Sequence, residues 1–286
     1  MSTYQIAGAL RGGRRRVAVA DPVMTAAGCV VALVVLVALL APLIAPYDPN
    51  AVDPAAVYAG PSGAHWLGTD DTGRDILSRL IHGARPSLIA PAAVVLLATA
   101  AGTTLAIAAA WAGGWVDRVI SGVLDVIFGF PGLIMAVVAA TIFGPGLLVP
   151  VLAMSIAYVP LIARVLRNSA LKERNLPYIA ALQLLGTPTW RIWLRHLLPN
   201  LLPIVTVQAT VGFGYALLDI AAISFIGLGA QPPQAEWGLM VSSGYPGILS
   251  GQAGQVLYSG ITIVVIVIAF NLLGSGLSRK LLGEGL

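Results

Sequence analysis

Side chains that commonly carry catalytic or metal-binding chemistry are few in this chain of 286 residues. The three histidines are His65, His82 and His196, and Cys29 is the single cysteine. The histidines lack the paired spacing of a helical metal site, and a lone cysteine forms neither an intrachain disulfide nor a CxxC motif. We therefore expect no catalytic metal, and the redox compartment stays undetermined.

Motifs for nucleotide hydrolysis and for acyl transfer are also absent from the sequence. A phosphate-binding loop needs a lysine after a glycine, yet Lys172 follows Leu171 and Lys280 follows Arg279. No GxSxG nucleophile motif occurs either. We predict that the chain is not an enzyme, that it holds no cofactor, and that any nucleotide is hydrolysed elsewhere.

Two carboxylates, Asp125 and Asp219, lie within apolar segments. A charged side chain that faces lipid is costly, so each should face a neighbouring helix, a polar partner or a water-filled path. A position near a membrane end explains them equally well. Both interpretations stay open at this point: a membrane-end carboxylate, or an interhelical or pathway residue.

The segment over residues 50–86 is polar and too long for a simple connection. Thr72 or Asp71 is placed to cap a helix whose apolar face begins at Ile76. The segment is either a solvated acidic loop or a surface helix that packs on the membrane or on another protein. Its motif consists of Gly68, Thr69, Asp70, Gly73, Arg74 and Asp75.

Residues 164–200 form a basic, helix-forming island between apolar segments. Asn175 is placed to act as an N-cap, and Pro177 suits a first turn, so residues 176–185 should form a helix of about 15 Å that Gly186 ends. Exposed apolar side chains on such a helix are a liability unless another protein covers them. These side chains are Ile179, Leu182, Leu184 and Leu185.

The second half of the island has the pattern of an interfacial helix. Trp190, Trp193, Leu194 and Leu197 recur at helical spacing, and the arginines of this half lie opposite. Tryptophan at the headgroup level explains this half as a membrane anchor without any partner. Only the first half of the island therefore favours docking to another protein.

The composition is that of a polytopic membrane protein, with 58% hydrophobic and 10% charged residues. Each apolar segment is close to the length that about 30 Å of hydrocarbon requires. The segments cover residues 23–44, 87–111, 119–143, 147–163, 202–225 and 257–278. We therefore predict an all-α protein with six transmembrane helices.

The basic residues predict the orientation of these helices. With both termini in the cytosol, thirteen of the sixteen lysines and arginines fall on cytosolic segments and three, Arg74, Arg79 and Arg85, on outer loops. The cluster Arg14 to Arg16 then reads as a flank attracted to anionic lipid, and we expect no nucleic-acid partner.

Four segments carry a resemblance to a known family. Tyr178-Ile-Ala-Ala-Leu-Gln-Leu-Leu-Gly186 with Arg195-His-Leu-Leu-Pro-Asn200 resembles the EAA loop of bacterial ABC importer permeases, which couples membrane subunits to ATPases. Trp66-Leu-Gly-Thr-Asp-Asp-Thr-Gly-Arg-Asp75, Phe130-Pro-Gly132 and Ser224-Phe-Ile-Gly-Leu-Gly-Ala-Gln-Pro-Pro233 are similar to the C-type subunit of the dipeptide/oligopeptide/nickel permease family.

The resemblance implies a type I ABC importer permease with a cytosolic coupling helix. One departure from the pattern is that the family's glutamate falls on Ala180, so coupling at this position would rest on shape and apolar contact. The outer motif would help to receive a binding protein. The residues that the resemblance assigns to ATPase coupling are Tyr178, Ile179, Ala180, Ala181, Leu182, Leu185 and Gly186.

The resemblance also implies the assembly and the location. The partners would be a second homologous permease, two ATPase subunits that bind ATP and Mg²⁺, an extracytoplasmic substrate-binding protein, and the lipid of a bacterial cell membrane. Residues 1–22 would be a cytosolic tail, residues 23–86 the first transmembrane helix with its outer loop, and residues 87–286 the permease core with a coupling loop over 164–200.

The most favoured function is import of di- or oligopeptides, with nickel chelates or glutathione as open alternatives for the substrate. A secondary transporter or channel is the alternative from another class. It would need intramembrane ionisable groups for ion coupling and inverted repeats. The sequence shows only Asp125 and Asp219 and no evident repeat.

Overall fold

The structure, a computed structural model, describes residues 22–282, so almost all of the predicted cytosolic tail lies outside the described residues. Helices form nearly all of its regular structure, and one isolated antiparallel bridge joins Thr69 and Asp75. The helices are α1 (Pro22–Ile44), α2 (Ile76–Ala112), α3 (Gly114–Phe128), α4 (Gly132–Phe143), α5 (Leu148–Arg174), α6 (Pro177–Leu184), α7 (Thr189–Ile192), α8 (Leu198–Phe225), α9 (Trp237–Leu249) and α10 (Gly254–Leu282).

The membrane-spanning helices confirm the predicted all-α, polytopic class. Within residues 22–282, five helical segments are long and apolar enough to cross a bilayer: α1, α2, α5, α7 continued into α8, and α10. Helices α3 and α4 meet the same length and apolarity test only as a pair that is bent by 77° at residues 129–131, so the described residues have five such spans, or six if the bent pair counts as one. Pro131 has no backbone N–H to continue α3, so the break falls at Phe130-Pro131.

Several predicted helices are shorter than the helices in the structure. The second predicted span, residues 87–111, is part of α2, which begins at Ile76 and continues through Pro86 and Pro91. The predicted outer helix and this span are therefore one helix of about 55 Å. The fourth span continues from residue 163 to Arg174. Hydropathy marks only the part of a helix that is as apolar as lipid, whereas these helices extend into water.

Helix α2 packs chiefly against α5, and α8 packs against α10. Small residues allow the close approach that drives helix association in membranes. A Cβ added at Gly102 in α2 would lie 3.1 Å from the Ile162 side chain of α5, and one at Gly274 in α10 would lie 2.6 Å from Val211 of α8. These contacts fix the bundle that carries the loops at its two ends.

Helix α9 was not predicted as an element, because Gly244 and Pro246 interrupt its apolar pattern. Its first residue is Trp237. The side chain is 1% exposed, and its indole Nε1 donates to the Leu80 carbonyl oxygen of α2 at 3.0 Å. The tryptophan thus fixes α9 to the start of α2.

Candidate functional site

At one end of the bundle, which we call the α6 end, the short helix α6 lies between the last turn of α5 and the helices α7 and α8. Ile179 of α6 is 1% exposed and packs in a cluster with Ile107 of α2, Ala170 of α5 and Leu197 before α8. The expectation that Ile179 is exposed is therefore wrong, because the chain itself covers it. The cluster connects α6 mechanically to three long helices.

A polar network reinforces this connection. The Tyr178 hydroxyl donates to Glu173 at the end of α5, and Asn200 in α8 donates to the same Glu173 carboxylate at 2.6 Å. Burial and the hydrogen bond to Glu173 raise the pKa of Tyr178 to about 12, so its hydroxyl stays a donor at physiological pH. A displacement of Tyr178 is therefore transmitted to both α5 and α8.

The opposite face of α6 is open. Leu184 is 90% exposed and Leu185 is 81% exposed, and Ala180 and Ala181 lie on the same exposed surface. Leu182 is half-buried against the internal cluster. A short helix that buries one face in its own chain and exposes two leucines on the other is suited to contact with a second protein.

The helix ends where the sequence predicts. Gly186 has a φ of +72°, its N–H donates to the Gln183 carbonyl at 3.0 Å, and the Thr187 N–H donates to the Leu182 carbonyl at 3.0 Å. This is the Schellman arrangement, which uses a left-handed glycine. The predicted N-cap is wrong: Asn175 ends α5, and Leu176 precedes α6.

If α6 couples this chain to an ATPase, as the resemblance implies, replacing Gly186 by valine should lower the ATP hydrolysis of the assembled complex several-fold. A β-branched residue resists the left-handed conformation, at a cost of about 1–2 kcal/mol. No atom lies within 4 Å of the added Cβ, so only the backbone is affected. Gly186→Asn is the matched control, because asparagine tolerates this conformation; equal activity of the two variants would contradict the prediction.

The side chains of the predicted apolar stripe over residues 190–197 are partly buried and partly exposed. Leu197 is buried, and Trp193 meets Trp111 of α2 edge to face with ring centroids 6.3 Å apart. Trp190 and Leu194 are exposed. The spacing assumed a regular α-helix, whereas residues Trp193–Leu197 form a wider π-helical turn that shifts the facing of each side chain.

The outer-loop motif is at the other end of the bundle, which we call the α9 end. Its centre is Asp70, which is 1% exposed and accepts hydrogen bonds from the Thr72 and Arg74 N–H groups and from the Arg74 guanidinium. Burial opposes ionisation, but these hydrogen bonds and the Arg74 charge hold the pKa of Asp70 below its ordinary value. Thr69 accepts from the Ala59 N–H.

The last residue of the motif, Asp75, lies directly before α2. Asp75, not Asp71 or Thr72, is the N-cap, and its carboxylate accepts from the Ser78 N–H at 2.7 Å. Gly73 has a φ of +81°, and an added Cβ would lie 1.8 Å from the backbone carbonyl oxygen of Asp53. The motif is thus an internal clasp, whose carboxylates are already paired within the chain.

The two carboxylates within the apolar segments have partners on other helices. Asp125 of α3 pairs with Arg164 of α5 at 2.7 Å, and its side chain is 66% exposed. Asp219 of α8 accepts a hydrogen bond from the Tyr158 hydroxyl of α5 at 2.8 Å. The structure does not bring the two carboxylates together, because they interact with different residues of α5.

Sequence reasoning missed Glu236. Its carboxylate is fully buried and accepts from the Gly238 and Leu239 N–H groups at the start of α9 and from the Ser87 hydroxyl of α2. The Trp237 N–H in turn donates to Ser87 at 3.0 Å. An acidic residue beside an apolar Trp-Gly-Leu-Met run fits the enrichment of Asp and Glu at helix starts, and this signal could have revealed it.

The bundle and its tethered α6 define a polytopic α-helical membrane protein with an exposed contact helix at one end. Comparison with known families identifies it further. The chain belongs to the family of binding-protein-dependent transport system inner membrane components, whose model matches residues 102–282. Residues 16–61 match the N-terminal transmembrane domain of oligopeptide transport permease C. It is therefore a multi-pass inner-membrane permease.

Individual relatives are similar over most of their length. The dipeptide transport system permease protein DppC of Alkalihalophilus pseudofirmus is 40% identical over 86% of this chain and 81% of its own. The glutathione transport system permease protein GsiD of Pectobacterium atrosepticum is 39% identical over 91% and 86%. The probable D,D-dipeptide transport system permease protein DdpC of Escherichia coli is 36% identical over 90% and 86%.

Proposed function

We propose that the chain is a permease subunit of an ATP-driven importer of di- or oligopeptides. The observation that carries this proposal is α6, which is fixed internally by Ile179 and presents Leu184 and Leu185 outward. Relatives named as dipeptide permeases support the substrate class. This subunit does not hydrolyse ATP. Two partner ATPase subunits or domains bind ATP and Mg²⁺ and carry out the hydrolysis.

The other partners follow from the same proposal. A second, homologous permease completes the pathway, and an extracytoplasmic binding protein delivers the peptide at the α9 end. The α6 end then faces the cytosol, together with the two termini. The clasp around Asp70 supports this delivery surface indirectly, because it holds residues 47–75 against the start of α2.

Coupling is a rigid-body movement in this mechanism. When the ATPases close on ATP, they push on the exposed leucines of α6. The buried cluster and the network of Glu173, Tyr178 and Asn200 pass the displacement to α2, α5 and α8. Because packed helices shift as units, the pathway changes between inward-facing and outward-facing access.

Cysteine labelling tests the orientation. In a Cys29→Ser background, Asn50→Cys should react with a membrane-impermeant maleimide added to intact spheroplasts. Lys172→Cys should react only after permeabilisation. Both side chains are exposed at opposite ends of the bundle, and the arginine distribution assigns the α6 end to the cytosol. The reverse labelling pattern would overturn the proposed direction of coupling.

The transport activity itself is tested with the native complex, purified through a tag on this chain and reconstituted in proteoliposomes. Uptake of radiolabelled dialanine should need ATP on the α6 side and the binding protein on the other. Uptake driven by an ion gradient, without an ATPase in the complex, would instead establish the secondary transporter. Uptake of glutathione in place of dialanine would replace the substrate class and leave the coupling mechanism intact.

A further inference from the structure

A groove of about 710 Å³ opens on one side of the bundle, between the bend of α3 and α4 and the helices α5 and α8. Its volume is within the range of sites for small molecules. Its walls are mainly apolar and aromatic. They include Phe128 and Phe130 at the bend, Met154 and Leu161 of α5, and Tyr215 of α8.

One charge lies in this apolar wall. Among the described residues that line the groove, Asp219 is the only one with a charged side chain. Its Oδ2 accepts from the Tyr158 hydroxyl, which also lines the groove. The ion pair of Arg164 in α5 with Asp125 in α3 is already formed, and neither of these two residues lines the groove.

A single neutral hydrogen bond compensates a carboxylate in apolar surroundings only in part. If the pair served merely to join α5 to α8, two neutral side chains would do so at a lower desolvation cost. Among the described residues, Asp219 receives its hydrogen bond on Oδ2, and the arrangement leaves Oδ1 available. The lone pairs of the Tyr158 oxygen are also available, because the hydroxyl donates its one hydrogen to Asp219. The groove therefore offers two acceptors and one negative charge to a cation.

We propose that Asp219, positioned by Tyr158, binds the protonated amino group at the N-terminus of a peptide as it passes through the permease. An ammonium group has three donors and one positive charge: two of the donors match the two acceptors, and the positive charge matches the negative charge of the Asp219 carboxylate. The apolar and aromatic walls accept peptide side chains without selecting among them. This inference rests on the proposed peptide-import function and adds a binding site within this subunit.

Two substitutions separate the binding role from a purely structural one. Asp219→Asn keeps an oxygen that accepts from Tyr158 and removes the charge. Tyr158→Phe removes the hydrogen bond and keeps the charge. The cation-binding role predicts that Asp219→Asn is the more damaging variant, whereas a structural tie between α5 and α8 predicts that Tyr158→Phe is.

The experiment measures dialanine uptake per ATP hydrolysed in the reconstituted complex. Asp219→Asn should lower this ratio about tenfold, the effect of losing one charge-assisted hydrogen bond. Asp219→Glu should restore most of it, and Tyr158→Phe should lower it only two- to threefold. Because the binding protein is the same in every assay, differences in its affinity do not contribute.

Full uptake by Asp219→Asn, or a larger loss in Tyr158→Phe than in Asp219→Asn, would overturn the proposal. Failure of Asp219→Asn to assemble would assign a structural role to Asp219 and would overturn it as well. These outcomes are distinct from a failure of the proposed function. In that case the wild-type complex itself would not import dialanine.

Discussion

Changing Leu184 and Leu185 together to aspartate should abolish the association of the permease with its ATPases, while the permease itself remains folded. The two side chains are 90% and 81% exposed, so the change removes almost no contact within the chain. It places two charges in the surface that we expect the ATPase to cover, and desolvating an unpaired charge costs several kcal/mol. Recovery of the ATPase with the tagged permease measures the effect.

Ala180→Glu is the control for this variant. It adds a charge to the same exposed surface, at the position where the resemblance implies a glutamate in the family. Assembly and ATP hydrolysis should therefore be preserved or change only mildly. If the double aspartate variant still recruits the ATPases, or if Ala180→Glu is equally damaging, contact through the exposed leucines is not the basis of coupling.

The second large effect is expected from Glu236→Ala, at the opposite end of the bundle. Alanine leaves the Gly238 and Leu239 N–H groups and the Ser87 hydroxyl buried without their acceptor. Each unpaired buried donor costs about 1–3 kcal/mol. We therefore expect the permease to lose roughly 3 kcal/mol or more, measured as a lower unfolding temperature in detergent.

Glu236→Gln keeps the shape of the side chain and one acceptor oxygen, so it should lose less stability than the alanine variant. Ser87→Ala removes a donor to Glu236 and the acceptor of the Trp237 N–H, and it should be intermediate as well. An unchanged unfolding temperature in Glu236→Ala would contradict the conclusion that this carboxylate fixes α9 to α2.

Local sequence patterns predicted the features that depend on a few adjacent residues. The helix stop at Gly186 follows from glycine's access to positive φ, and the exposed leucines follow from a short apolar helix in a polar segment. The membrane spans were also predictable, because an apolar segment is a run of adjacent residues. Their boundaries were less accurate, because α2 continues through Pro86 and Pro91, residues that commonly end helices in water.

Features that depend on contacts between distant residues were not predictable. The bond of Tyr158 to Asp219 joins residues 61 positions apart, and Ser87 and Glu236 are 149 positions apart. The Arg167 guanidinium forms a similar unpredicted pair with Asp117 of α3. No periodicity in one helix records which helix it packs against. For Ile179 the error had the same origin, since only the fold shows that α2 and α5 cover it.

Photo-crosslinking from α6 tests the central claim most directly. p-Benzoylphenylalanine placed at position 184 should, on irradiation of native membranes, form one major adduct between this chain and an ATPase subunit. The same amino acid at position 249 is the control, because Leu249 is 84% exposed at the α9 end. An adduct with the ATPase from position 184 and none from position 249 is the predicted result. An ATPase adduct from position 249, or none from position 184, would contradict the coupling role of α6.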